Sequence, residues 1–224
     1  MNLAAYAWMH MPGCLSIPEW EKREITVKVH LPRGAAVLDL GCGCGWTSIL
    51  LARCGFHVTG VDINPASLAI GRRNADAAGV VVKFITADIQ EFTVDQRFDA
   101  VVIFDALHYC LRERSVLSRA EWMLRPGGKI LLNEQGCLDE DIAGLLTHDP
   151  AVQTMRQHGT LEKGLGTRYL VRALFDCGFD AITVFTSPCH YHQWHMARKR
   201  QAGAEVVHRV IKTSDLAEAL RAYE

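Results

Sequence analysis

Three glycines at alternate positions, Gly41, Gly43 and Gly45, follow a short apolar run that contains Asp39. Glycine loses more backbone entropy on folding than any other residue, so this spacing favours a sharp turn or a ligand that lies against the backbone. A helix-like stretch comes next, and the N-terminus of a helix offers N–H groups that lack partners within the helix. The pattern is typical of a loop that binds a nucleotide-like ligand, although a glycine-rich turn between a strand and a helix is the alternative.

The residues around the loop narrow the class of ligand. The third glycine comes one residue too early for the G-x-G-x-x-G pattern, and no Walker lysine follows, which excludes P-loop phosphate binding. Asp39 would repel a pyrophosphate but can balance a cationic ligand. Asp62 ends the next strand-like run, where it can accept hydrogen bonds from ribose hydroxyls. Asp88 ends the run after that, where it can accept from an adenine amino group.

Each of these acids also has a structural interpretation. Asp39 alone is compatible with a helix-capping acid, and Asp62 with the first residue of an Asx turn before Pro65. Asp88 is compatible with an N-cap of the segment that follows it. Three acids at three successive strand ends are harder to explain as three separate accidents.

The elements that position these residues alternate between strands and helices. The strand-like runs are AAVLDL, HVTGVDI, VVKFITAD, FDAVVIFDAL and KILLNEQ, and the helix-like stretches between them include WTSILLARCG, NPASLAIGRRNADAAG and RSVLSRAEWML. Asn64 and Pro65 have the residue types of a helix N-cap and first turn. Strict alternation predicts a parallel, doubly wound sheet whose ligand lies outside the carboxyl ends of the strands.

The remaining sequence is expected to complete one domain of residues 1–224. Residues 1–34, with a helix at 18–30, are interpreted as an N-terminal cap, and residues 35–135 as the cofactor-binding core. Residues 136–224 would form the acceptor side of the site and complete the sheet, with helices at 139–146 and 163–177. AITVF is predicted as the sixth strand and GAEVVHRVIK as a seventh, antiparallel one, joined by SPCHYHQWHMARKRQ as a connection.

A family resemblance supports the prediction for the core. The motifs VLDLGCGCG, GVDINP, TADIQEF, RFDAVVIFDALHY and LRPGGKILL, over about residues 35–134, resemble the class I S-adenosylmethionine-dependent methyltransferases. The resemblance implies an α/β, Rossmann-like sheet of seven strands, mostly parallel with an antiparallel last strand, and helices on both faces. It also implies S-adenosylmethionine as the cofactor and these site residues: Asp39, Gly41, Cys42, Gly43 and Gly45 for the methionine part, Asp62 for the ribose, Ile63, Asp88 and Ile89 for the adenine, and Phe104 and Asp105 as lining beyond the fourth strand.

Methyl transfer from a sulfonium needs few catalytic groups of the protein, because the thioether that leaves is a good leaving group. The protein chiefly positions the reactants, excludes water and in some cases removes a proton from the acceptor. His108 is the candidate base, since the ordinary pKa of histidine, about 6.5, suits proton removal at neutral pH. The alternative is that His108 hydrogen-bonds a loop and shapes the cofactor site. Tyr109, and Tyr6 and Trp8 of the cap, are candidate acceptor contacts, although cap aromatics can equally anchor the cap to the core.

No metal site is expected. The run CHYHQWH, residues 189–195, offers four possible ligands, but their spacing matches no closed structural site, and the run is predicted to lie in a surface loop. Cys189, His190 and His192 could equally belong to an edge strand or line the acceptor site.

Composition favours a small-molecule acceptor. The net charge is −1, which gives no general attraction for nucleic acid or anionic lipid. The fourth strand ends in FDAL and lacks the N/D-P-P-Y/F motif of adenine methylation, and no Pro-Cys nucleophile for cytosine appears there. The expected acceptor is therefore an O, N or C atom of a metabolite or of a glycan or lipid precursor, with no nucleic-acid or membrane partner. A nicotinamide-dependent oxidoreductase and a non-catalytic cofactor-binding partner are the alternative classes, and the oligomeric state is left open.

A cytoplasmic location is expected. No stretch approaches the roughly 20 apolar residues that span a bilayer, and the N-terminus lacks the basic region of a signal peptide. The eight cysteines are scattered, and Cys42 and Cys44 are too close together to pair without strain, which favours a reducing compartment.

Overall fold

The computed structural model describes residues 31–135, 164–186, 192–201 and 208–212. The strands among these residues are β1 Ala36–Leu40, β2 His57–Asp62, β3 Val82–Thr86, β4 Phe98–Phe104, β5 Leu124–Gln135, β6 Phe179–Thr186, β7 His192–Lys199 and β8 His208–Lys212. The helices are α1 Trp46–Arg53, α2 Pro65–Ala77, α3 Glu113–Met123 and α4 Thr167–Asp176, and a 3-10 turn covers Leu107–Tyr109. The strands form one sheet in the order β3-β2-β1-β4-β5-β7-β6-β8.

Helices cover both faces of the sheet because the central strands are apolar on both sides. In β4, Val101 and Ile103 pack into one cluster with residues of α3 and α4, and Ala100 and Val102 pack into a second cluster with Leu51 of α1. Successive side chains of a strand point to opposite faces, so a continuous apolar run is buried on both. The predicted doubly wound, mostly parallel, Rossmann-like sheet is confirmed.

The C-terminal part of the sheet differs from the sequence prediction in two strands, β7 and β8. The antiparallel strand is β7, which lies between β5 and β6, and the sheet of the described residues therefore has eight strands where seven were expected. The predicted antiparallel orientation of the last strand is wrong, because β8 pairs with β6 in parallel. The expectation that HQWHMARK is part of a connection is wrong, because these residues pair with β5 and β6. His195, Met196 and Ala197 within β7 are buried.

The start of α2 follows the prediction closely. The side chain of Asn64 accepts hydrogen bonds from the backbone N–H groups of Ala66 at 3.0 Å and Ser67 at 3.4 Å. Pro65 occupies the first turn, where its missing N–H costs nothing. The helix direction at the end of β2 is thereby fixed beside Asp62.

Two expectations concern residues beyond this description. The predicted cap at 1–34, including Tyr6 and Trp8, lies almost wholly outside the described residues, as does the predicted helix at 139–146. Among the described residues, no helix combines the length and the apolar character needed to cross a membrane.

Candidate cofactor and active site

The three loop glycines lie between β1 and α1 and have φ angles of 78°, 51° and 77°. These angles are in the left-handed region that glycine adopts readily. A Cβ at Gly41 would lie 2.4 Å from the Cβ of Ala106, and one at Gly45 would lie 2.7 Å from the ring of Phe84. A Cβ at Gly43 would meet no atom within 4 Å. Close packing therefore explains why residues 41 and 45 are glycines. Gly43 instead borders open space, in which a ligand can approach the backbone.

Asp62 connects the end of β2 to this loop. Its Oδ2 accepts a hydrogen bond from the N–H of Gly43 at 2.8 Å, and its Oδ1 accepts one from the N–H of Asn64 at 2.9 Å. A carboxylate has about four acceptor positions, so both oxygens retain capacity for ligand hydroxyls. The neighbouring Ile63 is 65% exposed. An acceptor pair beside an exposed apolar side chain fits a ribose that carries a flat base.

Asp39, near the end of β1, is buried and accepts a hydrogen bond from the hydroxyl of Ser48 at 2.6 Å. The pKa of Asp39 is raised from 3.8 to about 7, chiefly because burial disfavours the charged form; the Ser48 hydrogen bond opposes this increase, and the negative charge of Asp62 adds to it. A nearby positive charge would favour the ionised form of Asp39. The carboxylate therefore fits the cationic ligand that the sequence predicts at this place.

Cys42 acts through its buried side chain and its backbone N–H, and its thiol is unreactive. Burial raises the pKa of its thiol far above the ordinary range, with further increases from Asp39 and Asp62. The thiol therefore stays protonated and is not a nucleophile. The N–H groups of Gly41 and Cys42 both donate to the carbonyl of Val61, at 2.8 and 3.1 Å, which fixes the loop against β2.

Asp88, two residues beyond β3, begins a turn. Its Oδ1 accepts from the N–H of Gln90 at 2.8 Å, and its carbonyl accepts from the N–H groups of Glu91 and Phe92 at 3.0 and 2.9 Å. Ile89 is buried against the core cluster that includes Leu40 and Val61. These hydrogen bonds agree with the alternative interpretation of Asp88, as a residue that caps the segment after it. The adenine contact of Asp88 and Ile89 stays a prediction.

Phe104 and Asp105 lie where β4 leaves the sheet. The ring of Phe104 packs edge-on against Trp46, at the start of α1, with centroids 4.5 Å apart. Asp105 has a φ angle of 50°, which is uncommon for a residue with a side chain, and its N–H donates to the carbonyl of Asn133 at 2.6 Å. The end of β4 is therefore held between the glycine loop and β5.

His108 faces a carboxylate that the sequence analysis did not select. Its Nδ1 lies 2.8 Å from Oε2 of Glu134, near the end of β5, and 3.7 Å from Oδ1 of Asp105. The His108 ring is 2% exposed and Glu134 is fully buried. Tyr109 is 46% exposed, and its ring centroid lies 3.9 Å from that of His108. The structure thus brings His108 and Tyr109 together at the carboxyl edge of the sheet.

Asp105, His108 and Glu134 together offer ligand atoms for a metal. One atom from each of Asp105, His108 and Glu134 lies within 4.8 Å of the others. Both oxygens of Glu134, however, already accept backbone N–H hydrogen bonds from the turn after β4. The expectation of a loop at residues 189–195 is wrong for its second half, because His192 and His195 belong to β7 and His195 is buried there.

Comparison with known proteins finds similarity to methyltransferases over part of the chain. Residues 37–128 match a family model described as a methyltransferase domain. The chain is 39% identical over 101 residues to a putative methyltransferase of Geobacillus sp. (strain WCH70), which covers 43% of this chain and 41% of that protein. It is 33% identical over 104 residues to the ubiquinone biosynthesis O-methyltransferase of Xanthomonas axonopodis pv. citri (strain 306), which covers 46% of this chain and 44% of that protein. Over residues 37–128 the chain is therefore similar to methyltransferases.

Solved structures share the fold over most of the chain. An S-adenosylmethionine-dependent methyltransferase from Clostridium acetobutylicum ATCC 824 aligns with a TM-score of 0.70 at 12% identity, over 89% of this chain and 98% of that one. The [4+2]-cyclase SpnF aligns with a TM-score of 0.62 at 21% identity, over 73% and 58%. The fold therefore occurs with more than one activity. The chain matches less than half the length of either curated relative.

Three residues of the candidate site were missed by sequence reasoning. Ser48, Gln90 and Glu134 hold Asp39, Asp88 and His108, respectively. In the sequence, Ser48 is an ordinary residue of a helix-like stretch, and Gln90 is a polar loop residue. Glu134 offered a usable signal, because it ends a strand at the same edge as the other acids.

Proposed function

We propose that this chain transfers the methyl group of S-adenosylmethionine to an O, N or C atom of a small molecule, either a metabolite or a precursor of a glycan or lipid. The observation that carries the proposal is the pairing of Asp62 with the N–H of Gly43 at 2.8 Å, beside open space at Gly43. The cofactor supplies an electrophilic methyl group on a sulfonium. The family match and the relatives named as methyltransferases support the same reaction class.

The residues present fit this cofactor in shape and in charge. In the proposal, Asp62 accepts from the ribose hydroxyls and Ile63 packs on the adenine, while the backbone at Gly43 borders the methionine part. Asp39, held by Ser48, lies in a buried setting where an ionised carboxylate is favoured by a cation. The adenine contacts of Asp88 and Ile89, and the lining by Phe104 and Asp105, belong to the same proposal.

In the proposal, His108 is the residue that contacts the methyl acceptor. It removes or orients the acceptor's proton, and Tyr109 lines the same side. Burial of the ring excludes water, which protects the reactants from competing hydrolysis and strengthens hydrogen bonds at the site. Proton transfer to a positioned histidine typically contributes about 10²- to 10⁴-fold in rate. An unchanged pH–rate profile in His108→Ala would exclude the base role and leave His108 as a residue that shapes the site.

Calorimetric titration with S-adenosylhomocysteine tests the cofactor site directly. The wild-type protein is expected to bind it, and Asp62→Ala to weaken binding at least about tenfold, since hydrogen bonds to a charged group are lost. Asp76→Ala, which removes an exposed acid of α2, is the matched control and should leave the affinity unchanged. No binding by the wild-type protein, or binding of NAD(H) in its place, would contradict the proposal.

Turnover is tested separately with methyl-labelled S-adenosylmethionine and a panel of hydroxyl, amine and carbon acceptors. Transfer of label to any member of the panel supports the enzyme. Tight cofactor binding without transfer to any member would favour a non-catalytic binding partner.

A further inference from the structure

Four nitrogens of the turn after β4 lie within hydrogen-bond distance of the Glu134 carboxylate. Its Oε1 accepts from the backbone N–H groups of Ala106 at 3.1 Å and Leu107 at 2.8 Å. Its Oε2 lies 2.8 Å from Nδ1 of His108 and accepts weakly from the backbone N–H of the same residue at 3.4 Å. Glu134 is fully buried, so these contacts are screened little by water. One carboxylate thus organises the whole turn.

The Oε1 half of this arrangement reaches the glycine loop. Ala106, which Oε1 holds, occupies the space that a side chain at Gly41 would fill, with a separation of 2.4 Å for an added Cβ. The position of Ala106 therefore limits where the loop can lie. Without the Oε1 hydrogen bonds, Ala106 could shift, and the glycine loop would lose the contact that limits its position at Gly41.

The Oε2 half determines the state of the His108 ring. A neutral imidazole carries one hydrogen, and a carboxylate can only accept hydrogen bonds, so the nitrogen that faces Glu134 must be the protonated one. Oδ1 of Asp105, 3.7 Å from the same nitrogen, favours the proton there as well. Among the described residues, no lysine or arginine forms an ion pair with Glu134 or Asp105 that would oppose this. The lone pair of the neutral ring is then on Nε2.

We infer that Glu134 is a positioning residue with two separable duties: Oε1 holds the turn that borders the cofactor loop, and Oε2 fixes His108 as the Nδ1–H tautomer, which makes Nε2 the proton-accepting atom. The inference rests on the proposed function for its catalytic meaning. The tautomer and the loop contact are properties of the protein alone and can be measured without the acceptor.

Two substitutions separate the duties. In Glu134→Gln, the amide oxygen is expected to accept from the backbone N–H groups of Ala106 and Leu107, because a backbone N–H can only donate. The amide NH₂ then faces His108, whose ring can adapt by moving its hydrogen to Nε2. In Glu134→Ala, the N–H groups of Ala106 and Leu107 lose their acceptor, and leaving buried donors unpaired is costly. Asp180→Asn is the matched control, because it replaces a fully buried acid at the opposite edge of the sheet, where Asp180 pairs with Arg198.

The readouts are long-range ¹H–¹⁵N spectra of the histidine rings, with His108→Gln to assign the signals, and calorimetric affinity for S-adenosylhomocysteine. We expect Nδ1–H in the wild-type protein, Nε2–H in Glu134→Gln with affinity within about threefold of wild type, and affinity at least about tenfold weaker in Glu134→Ala. The control should lower stability without moving either readout.

Three results would overturn the inference. They are an Nε2–H ring in the wild-type protein, an unchanged tautomer in Glu134→Gln, and an unchanged affinity in Glu134→Ala. If Glu134→Ala does not fold, the spectra of the wild-type protein and Glu134→Gln still test the tautomer. Failure of the wild-type protein to bind the ligand would contradict the proposed function, whereas the ring spectra would still establish or refute the Nδ1–H tautomer independently.

Discussion

Ser48 of helix α1 donates its hydroxyl hydrogen to the buried carboxylate of Asp39 at 2.6 Å. The bond stabilises the charged form of Asp39, yet burial outweighs it and raises the pKa of Asp39 to about 7. Asp39 therefore changes charge close to neutral pH. Ligand binding and stability should both respond to this single group, in ways that can be told apart.

Cofactor affinity is expected to rise as the pH increases through about 7, because the ionised Asp39 attracts a cation. S-Adenosylmethionine, which carries a sulfonium charge, should gain more than S-adenosylhomocysteine, which lacks it. Calorimetry with both ligands between about pH 6 and pH 8 measures the difference. Asp39→Asn should show a flat profile, and an equal slope in that variant would assign the pH dependence to another group.

The stability effect has the opposite sign. The pKa of Asp39 is higher in the folded chain, about 7, than its ordinary 3.8, so the native state binds more protons between these values. The free energy of unfolding should therefore fall as the pH rises from about 4 to about 7, by at most about 4 kcal/mol from this group. Asp39→Asn removes the penalty and should be relatively more stable at about pH 8 than at about pH 5. Urea unfolding at both values tests this, and an equal effect of the substitution at both would contradict it.

Gly43 and Gly79 form a matched pair for testing the open space at the loop. Both have positive φ angles, 51° and 68°, and a Cβ at either would meet no atom within 4 Å. Alanine at each should cost about 1–2 kcal/mol of stability through backbone strain. Only Gly43→Ala should also lose affinity for S-adenosylhomocysteine, since only Gly43 borders the proposed ligand. Equal affinities in the two variants would place the ligand elsewhere.

The contact between Gly41 and Ala106 can be tested by a double-mutant cycle. Gly41→Ala adds a Cβ at 2.4 Å from that of Ala106, so strain and overpacking together should cost more than about 2 kcal/mol. Adding Ala106→Gly should recover the overpacking part and leave the strain. Urea denaturation of the four proteins gives the coupling. Additive effects would show that the two positions adjust independently.

Metal chelation is expected to change neither the unfolding temperature nor the affinity for S-adenosylhomocysteine. The reason is that the Glu134 oxygens are engaged by N–H donors of the turn after β4. Thermal unfolding with EDTA and with added Mn²⁺ provides the measurement. A clear stabilisation by Mn²⁺ that disappears in Asp105→Asn would instead establish a cation at Asp105, His108 and Glu134.

The sequence predicted those features that depend on local signals. The five apolar runs, the Asn64 cap and the acids at the strand ends follow from residue type and spacing, and the structure places the acids at the carboxyl edge of the sheet. The strand β7 itself was not predicted, because the burial of a polar strand is decided by its neighbours β5 and β6. The role of Glu134 escaped for a related reason. Its partners are 26 to 28 residues away and converge only when the turn after β4 has formed.

The position of β7 has a consequence for biosynthesis. β5 is followed by β6 in the chain, but the strand that pairs with β5 along Lys129 to Gln135 is β7. A nascent chain that had emerged only to the end of β6 would leave this edge of β5 without its partner. Unpaired strand edges are templates for association with other chains. The emergence of residues 192–199 is thus the step at which a growing polypeptide loses this route to aggregation.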